Sequence, residues 1–454
     1  MNLVQITPGA GGMYCGNCFR DNALVAALRR RGHEVLMVPL YLPMTLDEES
    51  QAAGVPTFFG GINVYLQQQS AFFRRAPKWL HSLLDSPFLL KLAAGRAAKT
   101  RAADVGELSL SMLRGEEGNQ VRELDELVAW LKTQPRPDVV LLSNALLVGF
   151  TRRLKAELGC KVVCNLQGED AYLDSMPNPL RERVWSLLAE RCRDCDLFLA
   201  PSRYFGDTMA RRLGLPADKV KVVFNGISLE GYGRNQCSVI SNQSEGARAA
   251  SDSPLNTEHC SLNTAPTLGY FARMCREKGL DLLVEAFIEL KRRNAVPGLK
   301  LKVGGGCGPG DEPFVAQLKE HLRRARCLED VSFHPNLTRE QKVAFLQSLT
   351  VFSVPALYGE GFGLYLIEAL AAGVPVVQPR HAAFPELVAA TGGGVIAEAN
   401  AAALAAAIEA LLLDPARLRA LGEAGRRAVG ERFTVDRMAA EVAQAAEQLV
   451  RARG

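Results

Sequence analysis

The sequence predicts an α/β protein with two doubly wound parallel-sheet, Rossmann-like domains that face each other across a cleft. Short apolar runs alternate with amphipathic helical segments in both halves of the 454-residue chain. Several of these runs end in glycine-rich loops, at 9–12, 304–310 and 359–363. A polar stretch, 233–266, separates the two series. Because doubly wound sheets bind ligands at the carboxyl ends of their strands, the glycine loops mark the expected cleft.

The same pattern predicts the division of the chain. A first domain covers 1–232 and contains a helical insertion at about 66–118. The Ser-, Asn- and Ala-rich stretch 233–266 is expected to be a flexible linker or insertion. A second domain covers 267–433, and a helix at 434–454 ends the chain.

Bulk composition excludes several classes of protein. A net charge of +4 is too small to indicate a nucleic-acid partner without a concentrated basic patch. No apolar run is long enough to span a membrane, and the N-terminus lacks the basic and apolar regions of a signal peptide. We therefore expect a cytoplasmic protein whose eleven cysteines are reduced thiols.

Two Cys-x-x-Cys pairs and one Asp-x-Asp motif are candidate metal or redox sites. Cys15/Cys18 and Cys192/Cys195 lie too far apart in sequence for a zinc ribbon, so packing residues are the favoured interpretation. Asp194-Cys-Asp196 resembles a metal-binding motif, but it directly precedes an apolar strand and is better explained as a strand entry. We expect no metal site.

The first domain begins with a βαβ unit. A strand at 2–6, a loop at 8–12, a helix through 19–28 and a strand at 35–39 follow one another. Tyr14 replaces the third glycine of the dinucleotide fingerprint and no acidic residue ends the second strand, which disfavours a hydride-transfer enzyme. The loop can contact a phosphate or a sugar, or be a tight turn only.

The segment 66–118 mixes aromatic, basic and aliphatic residues with helical character. Helices packed on the domain are the favoured interpretation, and an exposed insertion that contacts an acceptor or a membrane is the alternative. Regular alternation then resumes. Helices are predicted at 121–131, 149–158, 180–192 and 205–213, and strands at 137–143, 161–166, 197–202 and 220–224.

The second domain starts with a strand at 267–272 and a helix whose apolar face begins at Leu280. Between them, Arg273 and Lys278 can converge on a diphosphate, or belong to a solvated basic loop. Strands at 299–303, 331–334 and 395–396 and a helix at 339–348 complete the pattern before alanine-rich helices.

The most informative stretch joins an apolar run, 351–355, through the loop 359–363 to a helix that begins near Leu364. Such a junction is typical of anion sites, because glycines allow close approach and the first helical N–H groups are unpaired. We expect Glu360 to accept hydrogen bonds from hydroxyls rather than neutralise a cation. Together with Glu368, about two turns into the helix, it suits a sugar nucleotide. The alternative is that both carboxylates are solvated surface charges.

These residues resemble the retaining glycosyltransferases of family 4, the glycogen-synthase-like or group 1 glycosyltransferases with the two-domain GT-B architecture. The segment GEGFGLYLIEALAAGVPVV at 359–377 fits the family's E-x7-E signature, and GYFARMCREKGLDLLVEAF at 269–287 is the second match. Weaker matches occur at 225–227, 304–309 and 384–386.

The resemblance implies roles for individual residues. Arg273 and Lys278 would bind the donor diphosphate and stabilise the departing nucleoside diphosphate. Glu360 would contact the donor sugar, and Glu368 the ribose hydroxyls. Backbone amides from Gly361, Phe362, Gly363 and Leu364 would bind sugar and phosphate, with Gly11 and Gly12 facing them from the first domain. A metal is normally unnecessary in this family, and the C-terminal helix would cross back to the first domain.

Two positions depart from the family pattern. Gln167 stands where members often have a histidine near the donor sugar, and an amide binds a hydroxyl but does not titrate near neutrality. Glu169 or Asp170 is an alternative for its orienting role. Thr434 replaces a frequent tryptophan, which we interpret as a packing change.

The resemblance implies a hexosyltransferase that moves a sugar from a nucleotide-sugar donor to a hydroxyl acceptor with retention, without metal or other cofactor. The acceptor is a glycan, a lipid or a small molecule, and peripheral contact with the inner face of a membrane is an alternative location. Two other functions stay open: an epimerase or phosphorylase on the same scaffold, and a sugar-nucleotide-binding protein that has lost turnover, suggested by Gln167.

Overall fold

The computed structural model of this chain describes residues 1–9, 16–42, 46, 48–60, 64, 68, 102–233 and 265–452. Gly11, Gly12, Cys15 and most of both 66–118 and 233–266 lie outside these residues. The described part contains two six-stranded sheets in which every strand pair is parallel. The predicted fold class is confirmed.

The first sheet has the strand order β2-β1-β3-β4-β5-β6. Its strands are β1 (Asn2–Pro8), β2 (Glu34–Leu40), β3 (Val139–Leu142), β4 (Lys161–Asn165), β5 (Leu197–Ala200) and β6 (Val220–Val222). The helices around it are α1 (Gly16–Arg30), α2 (Ala102–Leu113), α3 (Val121–Leu131), α4 (Thr151–Leu158), α5 (Glu169–Asp174), α6 (Leu180–Cys192) and α7 (Arg203–Leu213). All four residues of β3 are buried, as expected for a central strand covered on both faces.

The second sheet has the strand order β12-β11-β10-β7-β8-β9. Its strands are β7 (Thr267–Phe271), β8 (Lys300–Gly305), β9 (Val331–Pro335), β10 (Val351–Phe352), β11 (Val376–Pro379) and β12 (Gly394–Ala397). The helices of this half are α8 (Leu280–Arg293), α9 (Glu312–Arg324), α10 (Arg339–Gln347), α11 (Leu364–Ala371), α12 (Phe384–Thr391), α13 (Ala401–Leu412), α14 (Pro415–Arg432) and α15 (Val435–Arg451).

Both sheets contain a point at which the strand order reverses. In the first sheet β1 lies between β2 and β3, and in the second β7 lies between β10 and β8. At such a point neighbouring loops leave in opposite directions and open a crevice beyond the carboxyl ends of the strands. The segments that follow β7 and β10 carry Arg273 and Glu360, so the topology of the second sheet brings these two residues to one crevice.

The helix α15 packs on the first half of the chain. Met438 and Val442 of α15 share a buried apolar cluster with Leu24 and Leu28 of α1. Just before α15, the chain passes beside the segment that leaves β6. There the Ile227 N–H donates to the Phe433 carbonyl at 2.9 Å, and the Val435 N–H donates to the Ile227 carbonyl at 3.0 Å. The segment that follows β6 and the segment that precedes α15 are therefore hydrogen-bonded to each other.

Some predicted boundaries were wrong. The strand expected at 351–355 ends at Phe352, and the helix expected from 149 begins at Thr151, after a 3₁₀ turn at Ala145–Phe150 that the Asn144 side chain caps. Pro355 has no N–H to give to a sheet, which favours the earlier end of β10. Among the helices that the structure describes, none is long and apolar enough to cross a membrane.

We predict that Gly226→Ala destabilises the protein, because a Cβ at this position would lie 2.2 Å from the Thr434 carbonyl oxygen, where the segment after β6 passes the segment before α15. Overpacking against backbone typically costs about 1–3 kcal/mol. The matched control is Gly430→Ala in α14, where nothing lies within 4 Å of an added Cβ. Urea unfolding should show a loss only for the first variant, and equal stability of Gly226→Ala and wild type would contradict the prediction.

Candidate functional site

A cavity of about 380 Å³ lies between the two sheets and is lined by residues of both halves of the chain. It contains every described member of the predicted site. These are Gln167, Arg273, Lys278, Glu360, Gly361, Phe362, Gly363, Leu364 and Glu368. Residues separated by more than 200 positions in sequence therefore meet in one place.

The Glu360 carboxylate is held by three donors, all through the same oxygen. Its Oε2 accepts from Lys278 Nζ at 2.7 Å and from the hydroxyls of Tyr358 and Tyr365 at 2.8 Å each. The side chain is 12% exposed. No described residue donates to Oε1, which leaves this oxygen available to a ligand in the cavity.

The protonation state of this cluster follows from its contacts. Burial raises the pKa of Glu360, but the charge of Lys278 and the hydrogen bonds from Lys278, Tyr365 and Tyr358 outweigh it and hold the pKa below the ordinary 4.5. Burial and the Glu360 charge raise the pKa of both tyrosines. At neutral pH Glu360 is therefore an anion, and both hydroxyls remain protonated donors.

We expected that Glu360 would not neutralise a cation, and this was wrong, because Glu360 pairs with Lys278. Lys278 also donates to the Tyr358 hydroxyl, so its ammonium spends two of its three N–H bonds inside the cluster. Lys278 is 23% exposed and Glu360 12%, so removing either partner would leave the other charge largely buried and uncompensated. One N–H bond of Lys278 remains for a ligand.

Glu368 repeats this arrangement in the same cavity. Its Oε1 accepts from Lys342 Nζ at 2.8 Å, and both side chains are largely buried, with 6% of Lys342 and 15% of Glu368 exposed. No described residue donates to Oε2 of Glu368. Lys342 lies in α10, and the sequence pattern offered no sign that this lysine turns inward.

Arg273 is the exposed cation of the cavity, with 66% of its side chain accessible. Its Nε and Nη2 bind Asp311, with Nη2 2.9 Å from Oδ1. Asp311 is 9% exposed and also accepts from the Gly308 N–H at 3.1 Å. The carboxylate thus ties Arg273 to the glycine loop after β8. The sequence analysis did not identify Asp311.

Three backbone amides complete the second-half wall, which is the side of the cavity formed by residues of the second half of the chain. Within the described residues nothing accepts a hydrogen bond from the N–H groups of Phe362, Gly363 or Leu364, which line the cavity at the start of α11. Gly363 has a φ of 88°, a left-handed value that favours glycine. Unpaired amides at the positive end of a helix attract anions.

The first half of the chain adds a buried arginine. The guanidinium of Arg20 is 2% exposed and donates to Asp21, Asn165 and Asn225 at 2.8, 2.8 and 3.3 Å. It lines the cavity opposite the second half. The sequence alone gives no sign of this role, because the surrounding residues resemble an ordinary helix packed on the domain.

Gln167 also lines the cavity, and its side-chain amide has no hydrogen bond to a described residue. Glu169 holds the backbone beside it: its Oε2 accepts from the Gln167 N–H at 2.9 Å, and its Oε1 from the Ala145 N–H at 2.7 Å. Burial raises the pKa of Glu169 and also that of Asp170. Neither carboxylate is among the residues that line the cavity, so the structure does not bring them to the position of the family histidine.

The motifs weighed as metal or redox sites have structural partners. Asp194 binds Arg152 at 2.7 Å, and Asp196 binds Lys155 at 3.0 Å. Burial raises the pKa of the Cys195 thiol to about 12 and that of Cys192 well above 9.0. Protonated buried thiols are poor nucleophiles and poor metal ligands. In the described ranges, no group of three or more His, Cys, Asp or Glu is arranged to bind a metal ion.

Two family models match the chain. The model described as "Glycosyl transferases group 1" matches residues 258–428, and the one described as "Glycosyltransferase Family 4" matches residues 92–230. The first covers the second sheet and its loops, and the second covers most of the first sheet. Both families are glycosyltransferases, so the epimerase and phosphorylase alternatives are not favoured.

Several curated relatives are named mannosyltransferases, and others are named glycosyltransferases. One, a GDP-mannose-dependent alpha-(1-6)-phosphatidylinositol monomannoside mannosyltransferase of Mycolicibacterium smegmatis, is 33% identical over 176 residues, 37% of this chain and 44% of the relative. Another, a lipopolysaccharide core biosynthesis mannosyltransferase of Rhizobium meliloti, is 32% identical over 192 residues, 40% of this chain and 52% of the relative. The chain thus matches about half the length of these relatives.

Solved structures share the whole fold. A sucrose-phosphate synthase from Thermosynechococcus elongatus superposes with a TM-score of 0.66 at 19% identity, and all of both chains is covered. The Anabaena protein HepE, solved in complex with UDP, gives a TM-score of 0.65 at 16% identity and covers 99% of this chain and 100% of its own. These similarities establish the two-domain GT-B architecture.

We predict that Lys278→Met destabilises the protein by about 3 kcal/mol, because it leaves the Glu360 anion buried without its cation. The double variant Lys278→Met/Glu360→Gln should recover part of this loss. The control is Arg380→Met, which breaks a surface pair whose side chains are 62% and 67% exposed and should change stability by less than about 1 kcal/mol. Strictly additive losses in urea unfolding would contradict the coupling.

The contribution of this pair is predicted to depend on pH. The folded pKa of Glu360 lies below the ordinary 4.5, so the stabilisation is fully present above pH 4.5 and is lost as the pH falls through the folded pKa. The difference in unfolding free energy between wild type and Lys278→Met should therefore be constant near neutrality and shrink below pH 4.5. A difference that stays constant down to strongly acidic pH would show that the charge of Glu360 is not responsible.

Proposed function

The chain belongs to the group 1/family 4 glycosyltransferases, and we propose that it transfers a hexose from a nucleotide-sugar donor to a hydroxyl acceptor with retention of configuration and without a metal ion. One observation carries this proposal. Glu360 and Glu368 are each held by a lysine through one oxygen and present the other to a cavity that also contains three unpaired amides.

The donor diphosphate would occupy the start of α11. The N–H groups of Phe362, Gly363 and Leu364 would donate to its oxygens, and Lys278 would add its remaining N–H bond. Arg273 is exposed and tied to Asp311 through Nε and Nη2, so its Nη1 can reach the same diphosphate without losing Asp311. These groups would stabilise the negative charge that develops on the leaving nucleoside diphosphate.

The two free carboxylate oxygens would bind the sugars of the donor. Oε1 of Glu360 would accept a hydroxyl of the transferred sugar, and Oε2 of Glu368 a hydroxyl of the ribose. A carboxylate whose pKa is held low is a weak base, so Glu360 suits a positioning role better than proton abstraction. The Gln167 amide, free to donate or accept, would contact the donor sugar from the first half.

In the reaction the bond between the sugar anomeric carbon and the phosphate oxygen breaks. A new bond forms from that carbon to the acceptor oxygen on the same face, and the acceptor hydroxyl gives its proton to the departing phosphate oxygen, which lies on that face. Arg273, Lys278 and the amides at the start of α11 would stabilise the negative charge on the departing diphosphate. In other transferases a divalent metal ion gives this stabilisation, so none would be needed here.

The acceptor would approach from the first half of the chain, where the predicted insertion 66–118 lies largely outside the described residues. The relatives named above act, by their names, on a phosphatidylinositol mannoside and on lipopolysaccharide core. We therefore propose lipid-linked glycans as the first acceptor class to test, with peripheral attachment of the enzyme to the membrane that carries them.

The test is a transfer assay with GDP- and UDP-hexoses against a panel of lipid-linked, glycan and small hydroxyl acceptors. Glu360→Ala and Lys278→Ala are predicted to lower turnover at least about 100-fold, as loss of charge-stabilising groups does in other enzymes. Chelation of divalent ions should leave turnover unchanged, and NMR of the product should show the anomeric configuration of the donor.

Arg380→Ala serves as the matched control, because it removes a cation of the same half that pairs on the surface with Glu398. Full activity of both site variants would contradict the proposal, as would inversion. Tight nucleotide binding by the wild type with no transfer to any acceptor would instead support the binding-protein alternative.

A further inference from the structure

The N-terminal end of α7, in the first half of the chain, is in direct contact with the loop 359–363. We propose that Ser202, which precedes α7, is a positioning residue of the donor site, and that it acts by holding the Gly361 carbonyl and so aiming the Phe362 amide into the cavity. Because the donor role of this loop is part of the proposed function, the inference rests on that function. It assigns to the first domain a part of the donor site.

The Ser202 hydroxyl donates one hydrogen bond and accepts one. It donates to the Gly361 carbonyl at 2.6 Å and accepts from the Phe205 N–H at 3.1 Å, as the N-cap of α7. Ser202 is fully buried. A hydroxyl has a single proton, so the donation to Gly361 commits the only hydrogen bond that Ser202 can give.

The geometry of the peptide unit transmits this contact to the cavity. In a planar trans peptide the carbonyl and the N–H of the next residue point in opposite directions. Holding the Gly361 carbonyl towards α7 therefore turns the Phe362 N–H away from α7. Phe362 lines the cavity, and its N–H has no acceptor among the residues that the structure describes.

The loop approaches α7 so closely that position 361 has little room for a side chain. A Cβ on Gly361 would lie 3.1 Å from the Phe205 ring. The glycine thus serves a second purpose besides backbone access for a ligand. It lets the loop come within hydrogen-bonding distance of Ser202.

Glu386 of α12 fixes the same end of α7 from the second domain. Its Oε1 accepts from the Arg203 N–H at 2.8 Å, and its Oε2 accepts from the Tyr204 N–H at 2.9 Å. A carboxylate on two unpaired amides at the positive end of a helix is a strong contact. At the start of α12 the Ala383 N–H donates to the Glu360 carbonyl at 3.3 Å, so loop, α12 and α7 are joined in a ring.

The distinguishing experiment is a series at Ser202. Ser202→Thr keeps the hydroxyl, Ser202→Gly removes it but preserves most of the helix stability, and Ser202→Ala removes it together with the cap. Loss of the hydroxyl is predicted to lower kcat/KM for the donor about tenfold in both the Gly and Ala variants, the size expected for one buried hydrogen bond. The Thr variant should retain donor turnover, whereas melting temperature should fall in both other variants and further in the Ala variant, because glycine is the better N-cap of the two.

Calorimetric titration with GDP and UDP separates this inference from the proposed function. Ser202→Gly is predicted to weaken binding of whichever diphosphate the wild type binds, even where no acceptor has been found. Glu386→Ala, which alters neither Ser202 nor the loop, should weaken it in the same direction.

If Ser202→Gly and Ser202→Ala bind and turn over donor like the wild type, the positioning role is overturned and the proposed transferase stands. If activity follows melting temperature across the series, Ser202 is a helix cap only, which also overturns it. A wild-type protein that binds neither diphosphate would remove the donor site, and the inference with it.

Discussion

The three hydrogen bonds on a single oxygen of Glu360 are the contact on which the site depends. Lys278 reaches it from the segment before α8, Tyr358 from the segment after β10, and Tyr365 from α11. The three donors hold the carboxylate ionised and leave its second oxygen without a donor among the described residues. They also fasten together the segments that follow β7 and β10, the strands at which the order of the second sheet reverses. One side chain thus links the fold to the proposed chemistry.

Each cation at the second-half wall has a carboxylate partner. Lys278 pairs with Glu360, Lys342 with Glu368, and Arg273 with Asp311. Pairing lets both lysines stay largely buried without a bound anion, since an unpaired buried charge would be costly. It also gives each group a fixed direction before a ligand arrives, which is what electrostatic catalysis requires. Among the described residues, the unpaired capacity that remains lies in amides, in single carboxylate oxygens and in the N–H bonds of Lys278 and Arg273 that the pairs do not use.

The sequence was sufficient to predict both sheets and the residues after β7 and β10, because strand periodicity, glycine loops and the spacing from Glu360 to Glu368 are local patterns. The sequence was insufficient to predict which residues contact these site residues. Lys342, Asp311 and Ser202 contact residues 26, 38 and 159 positions away, and such contacts depend on how helices pack rather than on spacing. The salt bridge of Glu360 was missed for the same reason: the loop pattern indicates an anion site but not which cation faces it.

A crystal structure with the nucleoside diphosphate product bound would show where the donor lies. We expect diphosphate oxygens at about 3 Å from Lys278 Nζ and from the amides at the start of α11, with the ribose on Glu368 and the Lys278–Glu360 pair intact. A nucleotide bound elsewhere in the cleft, or a diphosphate held by a metal ion away from these amides, would contradict this expectation.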